Sequence, residues 1–558
     1  MRLQALREEV AHPRTSIQLC MLGIVGGTCA ALLIILFRLC VEWLQETGIT
    51  SLQSVLAYDW LVWLIMPFIS VGLILFIAFL TGFKHYRLGI PFVIHRVKYY
   101  YGHIPFRTTI NQFFGGMLAL AGGFVVGREG PSVHLGASGS SFLGQWLRLP
   151  YNSIRILAGC GVAAGISASF NTPFAAVIFV MEVVLREYKI HIFVPVMLAA
   201  ACGSVLTRIV FGEVNELSFL SFNAFSQWMY FYLVLLGILL GMLAVLFNNQ
   251  LMRVMTWFRP VSMVWRLILA ALITGTIGMF IPEALGANFM DVEHLFDSSP
   301  GALLLVSTLV FKVILAVFAI GLGIPGGIIG PVMVIGMLAG AVLLLPLSYF
   351  INVPEFTNSF ALLGIAGMLT AVLHAPLAAL SAVMELSYSP QIILPAMLVI
   401  VPAYVTSTQF FGNRSIFIRQ LDYQNLPYAI SSIREALEKT GVLAAMNTEY
   451  KLFHDAPEQA ITNYLESEPT KIVIQKSRFE IDVQYKLVQY NVSLDHDATA
   501  LNYYEMEGVS AQSTLHEVYE HLKNSRSGAV YIYDQELNDI IGVVTWNILQ
   551  SFLQKAHY

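Results

Sequence analysis

The sequence predicts an all-α polytopic membrane protein made of two related halves of broken helices, followed by a small α+β domain. Three observations predict it. The 558 residues are 57% hydrophobic and only 12% charged, with mean hydropathy +0.69, whereas soluble domains carry about a quarter charged residues. Many of the apolar segments are cut short by glycine or proline, the pattern of half-helices that meet at mid-depth. One constellation also occurs twice. Gly327-Ile328-Ile329-Gly330-Pro331 follows Gly127-Arg128-Glu129-Gly130-Pro131 at an offset of 200 residues. Pro376-Leu377-Ala378-Ala379 with Met384-Glu385 echoes Pro173-Phe174-Ala175-Ala176 with Met181-Glu182. Pro131 to Pro173 is 42 positions, Pro331 to Pro376 is 45, and each glutamate falls nine positions after its proline. Two patterns at nearly one offset mark two halves packed about a pseudo-two-fold axis with binding at their interface; spacing alone leaves inverted and parallel repeats open.

In chain order, residues 1–16 are polar and amphipathic and carry Arg2, Arg7 and Arg14. A span from about Ile17 to Phe37 follows, then a loop with Glu42 and Glu46, so the N-terminus is expected inside. The first apolar run is too long for a signal peptide. A second span is expected from Trp60 to Leu80, then a basic turn Lys84-His85-Tyr86-Arg87 and a Gly-to-Pro helix opener, Leu88-Gly89-Ile90-Pro91. Further apolar segments lie near 108–125, 132–146, 154–168, 173–186, 191–211, 229–248, 262–282, 302–320, 331–350, 359–373, 376–387 and 391–410. Lys312, mid-span, calls for an acid or a carbonyl as partner. Cys20, Cys29, Cys40, Cys160 and Cys202 all sit in apolar segments and read as small core residues. From about Asp422 the chain turns polar and mixed. Helices are expected at Ser432–Lys439, Pro457–Leu465, Ser513–Lys523 and Asn547–Lys555, with strands at Thr470–Gln475, Lys486–Gln489, Ala529–Tyr533 and Ile540–Val544 and a turn at Gln535–Asp539.

The chemistry concentrates at Gly127–Pro131. A carboxylate inside an apolar run is expensive unless it lines a cavity, so Glu129 marks a functional site. Glycines let backbone approach a ligand closely. A proline that opens a helix leaves neighbouring N–H groups free at the positive end of the dipole, which is an anion site. One stretch thus offers an anion site and an anionic side chain able to occupy it.

These residues carry a resemblance. Gly-Arg-Glu-Gly-Pro at 127–131, Pro325–Pro331 with Gly330 where alanine is common, and Leu88–Pro91 at the matching distance before Gly127 resemble the CLC family of chloride channels and proton–chloride antiporters over about residues 15–425. The resemblance implies an inverted repeat and a homodimer with one pore per subunit, in the lipid membrane. It implies that helix N-termini cradle a dehydrated anion, chloride or another small one, through the backbone N–H groups of Gly89, Ile90, Glu129, Gly130, Ile328 and Ile329. Glu129 is then the gating glutamate, blocking the outer anion site when ionised and leaving it when protonated. The implied domains are an N-terminal cytoplasmic segment (1–16), a transmembrane domain (17–421, halves about 17–215 and 228–421) and a cytoplasmic domain (422–558). The implied location is a bacterial inner membrane, multi-pass, with both termini cytoplasmic. Gly542-Val543-Val544-Thr545 within a helix–strand–strand–helix order resembles a CBS motif, with 446–476 as a degenerate partner. Ile548 stands where an acidic residue would hold an adenine nucleotide, so no cofactor is expected.

Three departures bear on mechanism. Leu88 replaces a serine and Phe417 a tyrosine, removing two hydroxyl donors to the central anion, while Val183 replaces the inner glutamate of antiporters. A hydrogen bond to a charged group is worth roughly 1.5–3 kcal/mol, so the anion is held less tightly and passes more readily. Without an acid at 183 a proton reaching Glu129 has no evident exit. The sequence therefore favours passive, channel-like anion conduction gated by protonation of Glu129, with proton-coupled chloride or fluoride antiport as the alternative, since Glu182 sits next door.

Other classes fit less well. Basic clusters do not suggest nucleic acid, metal-spaced His/Cys/Asp sets are missing, and Gly321–Gly326 matches G-x-G-x-x-G but follows an apolar span. Arg128 suits anion attraction or structure equally. Glu182 and Glu385 recur in both halves and read as structural, and His134 and His374 as core histidines. A membrane-anchored protein acting through its C-terminal domain is the competing class; the chain is expected not to be an enzyme, because that domain shows no nucleophile–base pair. Anion flux retained after truncation near residue 422 would separate the two.

Overall fold

The computed structural model describes residues 2–55, 59–83, 88–212, 219–297, 301–349, 353–428, 432–479, 482–490, 501–536 and 539–555. The basic 84–87 turn, residue 215 at the end of the first half and part of the 535–539 turn lie outside them. Among the described residues, ten helices are long and apolar enough to cross a membrane. The chain divides into two compact units, one of residues 20–143 and 156–428, the other of 1–19, 144–155 and 429–558.

After α1 (Arg2–Ala11), the first half runs through α2 (Ile17–Val55), α3 (Asp59–Leu80), α4 (Gly89–Tyr99), α5 (Phe106–Ala121), α6 (Glu129–Trp146), α7 (Tyr151–Phe170), α8 (Pro173–Phe179) and α9 (Ile190–Phe211). The second half comprises α10 (Met229–Trp257), α11 (Met263–Phe280), α12 (Phe289–Asp297), α13 (Ala302–Leu322), α14 (Ile329–Leu344), α15 (Val353–Leu373), α16 (Pro376–Ser387), α17 (Ile393–Val405) and α18 (Ile416–Tyr423). The repeated prolines fall in the first turns of α6, α8, α14 and α16, where no intrahelical N–H is lost. The repeated glycines let helices close on each other. Gly136 of α6 meets Gly161 of α7, and a Cβ on Gly336 of α14 would lie 2.6 Å from the carbonyl of Gly364 on α15.

Two sets of hydrogen bonds tie the halves together, and both are reciprocal. The Gly127 N–H donates to the Gly327 carbonyl at 2.8 Å, and the Gly327 N–H returns the bond at 2.6 Å, an antiparallel bridge. Below it, the N–H groups of Leu377 and Ala378 at the start of α16 donate to Glu182 at 3.2 and 2.7 Å. Those of Phe174 and Ala175 at the start of α8 donate to Glu385 at 3.2 and 2.9 Å. Each half thus caps the other's short helix with a carboxylate, which satisfies donors that a helix start leaves open. Exchange of like bonds in opposite senses is the local signature of the inverted repeat.

The halves differ after α8, where a π-helical turn (Val180–Leu185) carries Glu182 and ends on Arg186 at φ 56°; α16 carries Glu385 in regular helix and ends on Tyr388 at φ 50°. Glu42 and Glu46 are not in a loop, because α2 continues to Val55. Arg38 pairs with Glu42 one turn on at 2.8 Å and lies over the Phe211 ring, so the charges are carried on the helix. Lys312, fully buried on α13, donates to the carbonyls of Glu283, Leu285 and Gly286 at 3.2, 2.9 and 3.1 Å. Carbonyls, not an acid, are its partners. No cysteine is in a disulfide; Cys160 is buried, Cys20, Cys40 and Cys202 are half-buried, but Cys29 is exposed on α2 instead of in the core.

The second unit holds two sheets. β1 (Tyr450–His454), β2 (Ile472–Phe479), β3 (Asp482–Tyr490) and β4 (Leu501–Met506) form one in that order, with β1 parallel to β2 and the rest antiparallel. β5 (Gly508–Ser510), β6 (Ala529–Tyr533) and β7 (Ile540–Thr545) form the other. Helices α19 (Ser432–Leu437), α20 (Glu458–Ser467), α21 (Leu515–Leu522) and α22 (Trp546–Lys555) accompany them. Thr514 and Glu517 make a capping box at the start of α21. The α21–β6–β7–α22 order closes over Leu515, Val518, Val530, Ile532, Val544 and Leu549, an arrangement compatible with a CBS-like domain. The polar start of the chain belongs here too: Arg7 donates to the Leu147 carbonyl and pairs with Asp534, and the Gly441 N–H donates to Ala11 at 3.0 Å.

Lys312→Leu strips three carbonyls of their donor, one buried and two part-buried. Each costs about 1–3 kcal/mol when left open, so the thermal midpoint of the full-length protein in detergent should fall clearly, while an exposed-lysine control does not move it.

Candidate functional site

The site forms where α6 and α14 begin. Their first intrahelical bonds run from Ser132 to Arg128 (2.9 Å) and from Val332 to Ile328 (3.1 Å), so the N–H groups of the preceding residues project from the helix ends. The Gly127–Gly327 bridge brings these two positive ends together. Gly130 packs on the opposite strand so tightly that a Cβ on it would lie 2.7 Å from the Gly326 carbonyl. Gly89, at φ 77°, opens α4 beside them; its Cβ position is 3.8 Å from the Gly326 carbonyl and 3.9 Å from Gly130 Cα.

Glu129 is buried in this junction, 2% exposed. Its carboxylate folds back among glycines of both halves. A Cβ on Gly327 would lie 2.6 Å from Oε2, one on Gly330 2.6 Å from Oε1, and one on Gly127 would overlap the carboxylate. Glycine at these three positions is what leaves room for the acid.

Three cavities meet the junction. One of about 540 Å³ reaches Glu129 past Arg38, Glu42, Arg128 and Asp291. One of about 440 Å³ is walled by Leu88, Gly89, Ile90, Gly327, Ile328 and Phe417, with Arg259 and Arg266 also in its wall. Glu129 lines the first and is absent from the wall of the second, so the acid and the bridge stand between them. A third, about 70 Å³ and mostly apolar, leads from Glu129 past Thr172 and Ile329 to Ala175 and Ala378. Those two alanines are the residues whose N–H groups hold Glu385 and Glu182.

Most of the residues expected from sequence therefore come together: Gly89, Ile90 and Ile328 on one cavity, Glu129 and Ile329 on another, and Gly130 packed between the halves. Leu88 and Phe417 share the 440 Å³ cavity wall, where the missing hydroxyls would have stood. Val183 is buried in the π-helical turn with an apolar side chain at the inner position. Arg128 lies over the Phe170 ring at 4.5 Å. His134 stacks on Phe92 and contacts Thr108 at 3.3 Å, and His374 packs edge-on to Tyr404. No group of three or more potential metal ligands occurs among the described residues. In the second unit a cavity of about 660 Å³ is lined by Glu466, Lys471, Thr545, Asn547 and Ile548.

Sequence reasoning missed three features. It did not find that Glu182 and Glu385 cap each other's halves, although their equal spacing was the available signal. It missed Glu187, buried with Lys98 at 3.9 Å and Lys189 at 3.6 Å. It also missed Arg259 and Arg266, which no motif marks.

Residues 73–408 match the family model for voltage gated chloride channels. The chain is 27% identical over 436 residues to the H(+)/Cl(-) exchange transporter ClcA of Salmonella arizonae, covering 75% of this chain and 90% of that protein. It is 28% identical over 438 residues to ClcA of Klebsiella pneumoniae, covering 75% and 91%. Among solved structures, a slow cyanobacterial Cl-/H+ antiporter superposes with TM-score 0.65 at 22% identity, over 74% of this chain and 99% of that one. A eukaryotic CLC transporter gives 0.61 at 20% identity over 95% and 97%, extending the likeness in fold to the second unit. A CLC-type fluoride/proton antiporter gives 0.60 at 23% identity over 72% and 98%. The family model spans more than half of the chain, and the converging helix starts and inverted repeat agree with it: this integral membrane protein belongs to the CLC family and transports anions.

Proposed function

We propose that the protein exchanges chloride for protons, with Glu129 as both gate and proton carrier. The observation that carries this reading is the seat of the Glu129 carboxylate in the junction of two helix N-termini, between two cavities. An ionised carboxylate there competes with an anion for one positive field; a protonated one has lost the charge that holds it. Anion passage and proton uptake are thereby coupled at a single spot. The third cavity supports a proton route. It has room for one or more waters and ends beside the N–H groups that hold Glu182 and Glu385, so Glu182 can serve where Val183 cannot. The relatives described as exchange transporters weigh the same way, against the passive conduction that the sequence favoured.

Passive conduction remains the second reading on one observation, the buried apolar Val183. Protons read alongside chloride in reconstituted vesicles decide between them: a chloride gradient that drives protons uphill supports exchange, and chloride flux without proton movement supports conduction.

A homodimer is supported by α8 and α16. They are too short to span, yet Phe174 and Leu377 at their tips are exposed beside the Glu182 and Glu385 carboxylates. Capped helix ends are poor neighbours for lipid, and a second copy would cover them. Arg2, Arg7 and Arg14 before the first span support a cytoplasmic N-terminus, and the C-terminal domain that packs with α1 then lies on the same side.

Three outcomes follow from the seat. Glu129→Ala removes the competitor, so anion flux loses its rise toward acid pH and any proton coupling disappears; a pH profile like that of the parent would sink the assignment. Gly330→Ala places a methyl on the carboxylate seat, raising flux at neutral pH in the parent and changing little in a Glu129→Ala background, a coupling that a double-mutant cycle measures. Phe417→Tyr and Leu88→Ser restore hydroxyl donors to the cavity wall, and calorimetry should find chloride bound about tenfold more tightly for each.

A further inference from the structure

The 440 Å³ cavity is far larger than a single anion requires, and its lining includes two basic side chains. Arg259 and Arg266 both line it, together with Gln420 and Gln424, and no Asp or Glu among the described residues does. Neither arginine is in an ion pair among the described residues, although Arg414 and Arg434 each hold a carboxylate, at 3.0 and 2.5 Å. Arg259 lies over the Tyr423 ring at 5.4 Å, which keeps its guanidinium charge while fixing its place. Arg266, on the first turns of α11, buries its Nε with no hydrogen-bond partner, and Gln424 does the same with its side-chain oxygen. Two buried polar atoms without partners on one cavity wall are costly unless something in the cavity meets them.

We propose that Arg266, with Gln424 and Arg259, forms a second anion-binding station in this cavity, built from side chains and not from the backbone amides of the helix starts. Its ligand is the transported anion itself, small and still partly hydrated. A half-turn of the Gln424 amide presents its NH2 group where the oxygen now stands, giving two donor side chains, Arg266 and Gln424, with Arg259 as a second positive charge. The cavity volume is roughly fifteen times that of a liquid water molecule, so the ion keeps several waters here and sheds them only on passing Leu88 and Phe417. The station raises the local anion concentration at the entrance to a central site that lacks two hydroxyl donors. It requires only that anions cross, and does not depend on whether protons are exchanged.

The test measures chloride flux against chloride concentration for the full-length protein in vesicles. Arg266→Gln and Arg259→Gln should each raise the half-saturating chloride roughly three- to tenfold at low ionic strength, less at high salt, with the loss recovered near saturation. Gln424→Glu, which places a negative charge on the same wall, should raise it further. Arg266→Cys separates charge from packing. Modification with aminoethyl methanethiosulfonate, which restores a cation, should recover parental half-saturation, and the neutral methyl reagent should not. The parent, treated alike, controls for its own cysteines. An unchanged half-saturation in both arginine variants, or equal rescue by the neutral reagent, overturns the proposal. Proton flux read in the same vesicles tests exchange separately, so the two readings fail independently.

Discussion

The start of α6 and the start of α14 face each other across the two hydrogen bonds between Gly127 and Gly327, and their combined positive field lies within a membrane-spanning fold. Backbone donors buried away from water and left unmet are costly. A negative group is therefore favoured at the junction, and there are two candidates for it. One is the Glu129 side chain, tethered to the helix whose field it meets; the other is an anion arriving through a cavity. The rest of the architecture holds the two helix starts in register, through close glycine crossings on each half and prolines in the first turns of α6, α8, α14 and α16.

The same physics operates at α8 and α16 with the opposite outcome. There the helix starts are met by carboxylates from across the pseudo-two-fold axis, each accepting two backbone N–H bonds. Glu182 and Glu385 are held by donors on the other half, so displacing either one opens a joint between halves. The Glu129 seat is shaped by glycines of both halves, Gly127, Gly327 and Gly330, whose missing side chains leave the room that the carboxylate fills. The three carboxylates thus differ in their surroundings: two are met by paired backbone N–H groups of a short helix in the other half, and one lies among glycines at the junction.

Much of this was legible in sequence because the repeat is carried by residues with special backbone behaviour. Gly127–Pro131 and Gly327–Pro331 announce paired helix starts by type and spacing alone. Reciprocity was not legible. Glu182 bonding to Ala378 is a contact between distant segments that spacing allows and does not require. The length of α2 was hidden because Glu42 looks like a loop residue until Arg38 is seen to neutralise it one turn earlier. In the second unit, β6 and β7 are continuous apolar runs and were found, whereas β1 and β4 mix charged and aromatic residues on half-covered strands. The leaning toward passive conduction came from Leu88, Phe417 and Val183 together, and sequence spacing does not show that a cavity joins Glu129 to the neighbourhood of Glu182.

The depth of a transport site and the ease of reaching it trade against each other. A cradle of backbone amides alone, without the hydroxyls that serine and tyrosine would add, binds an anion weakly and lets it go readily. Such a site fills only if anions are supplied to it at high local concentration. On the proposed reading, a roomy cavity lined by Arg259 and Arg266, neither in an ion pair among the described residues, supplies them at little cost, because the ion is not yet stripped of water there and the arginines need no carboxylate to stay charged. Losing donors at the centre and keeping free cations at the mouth are then parts of one arrangement. On the proposed reading, an ion gives up its water beside the apolar Leu88 and Phe417, which line the same cavity, before the amides receive it.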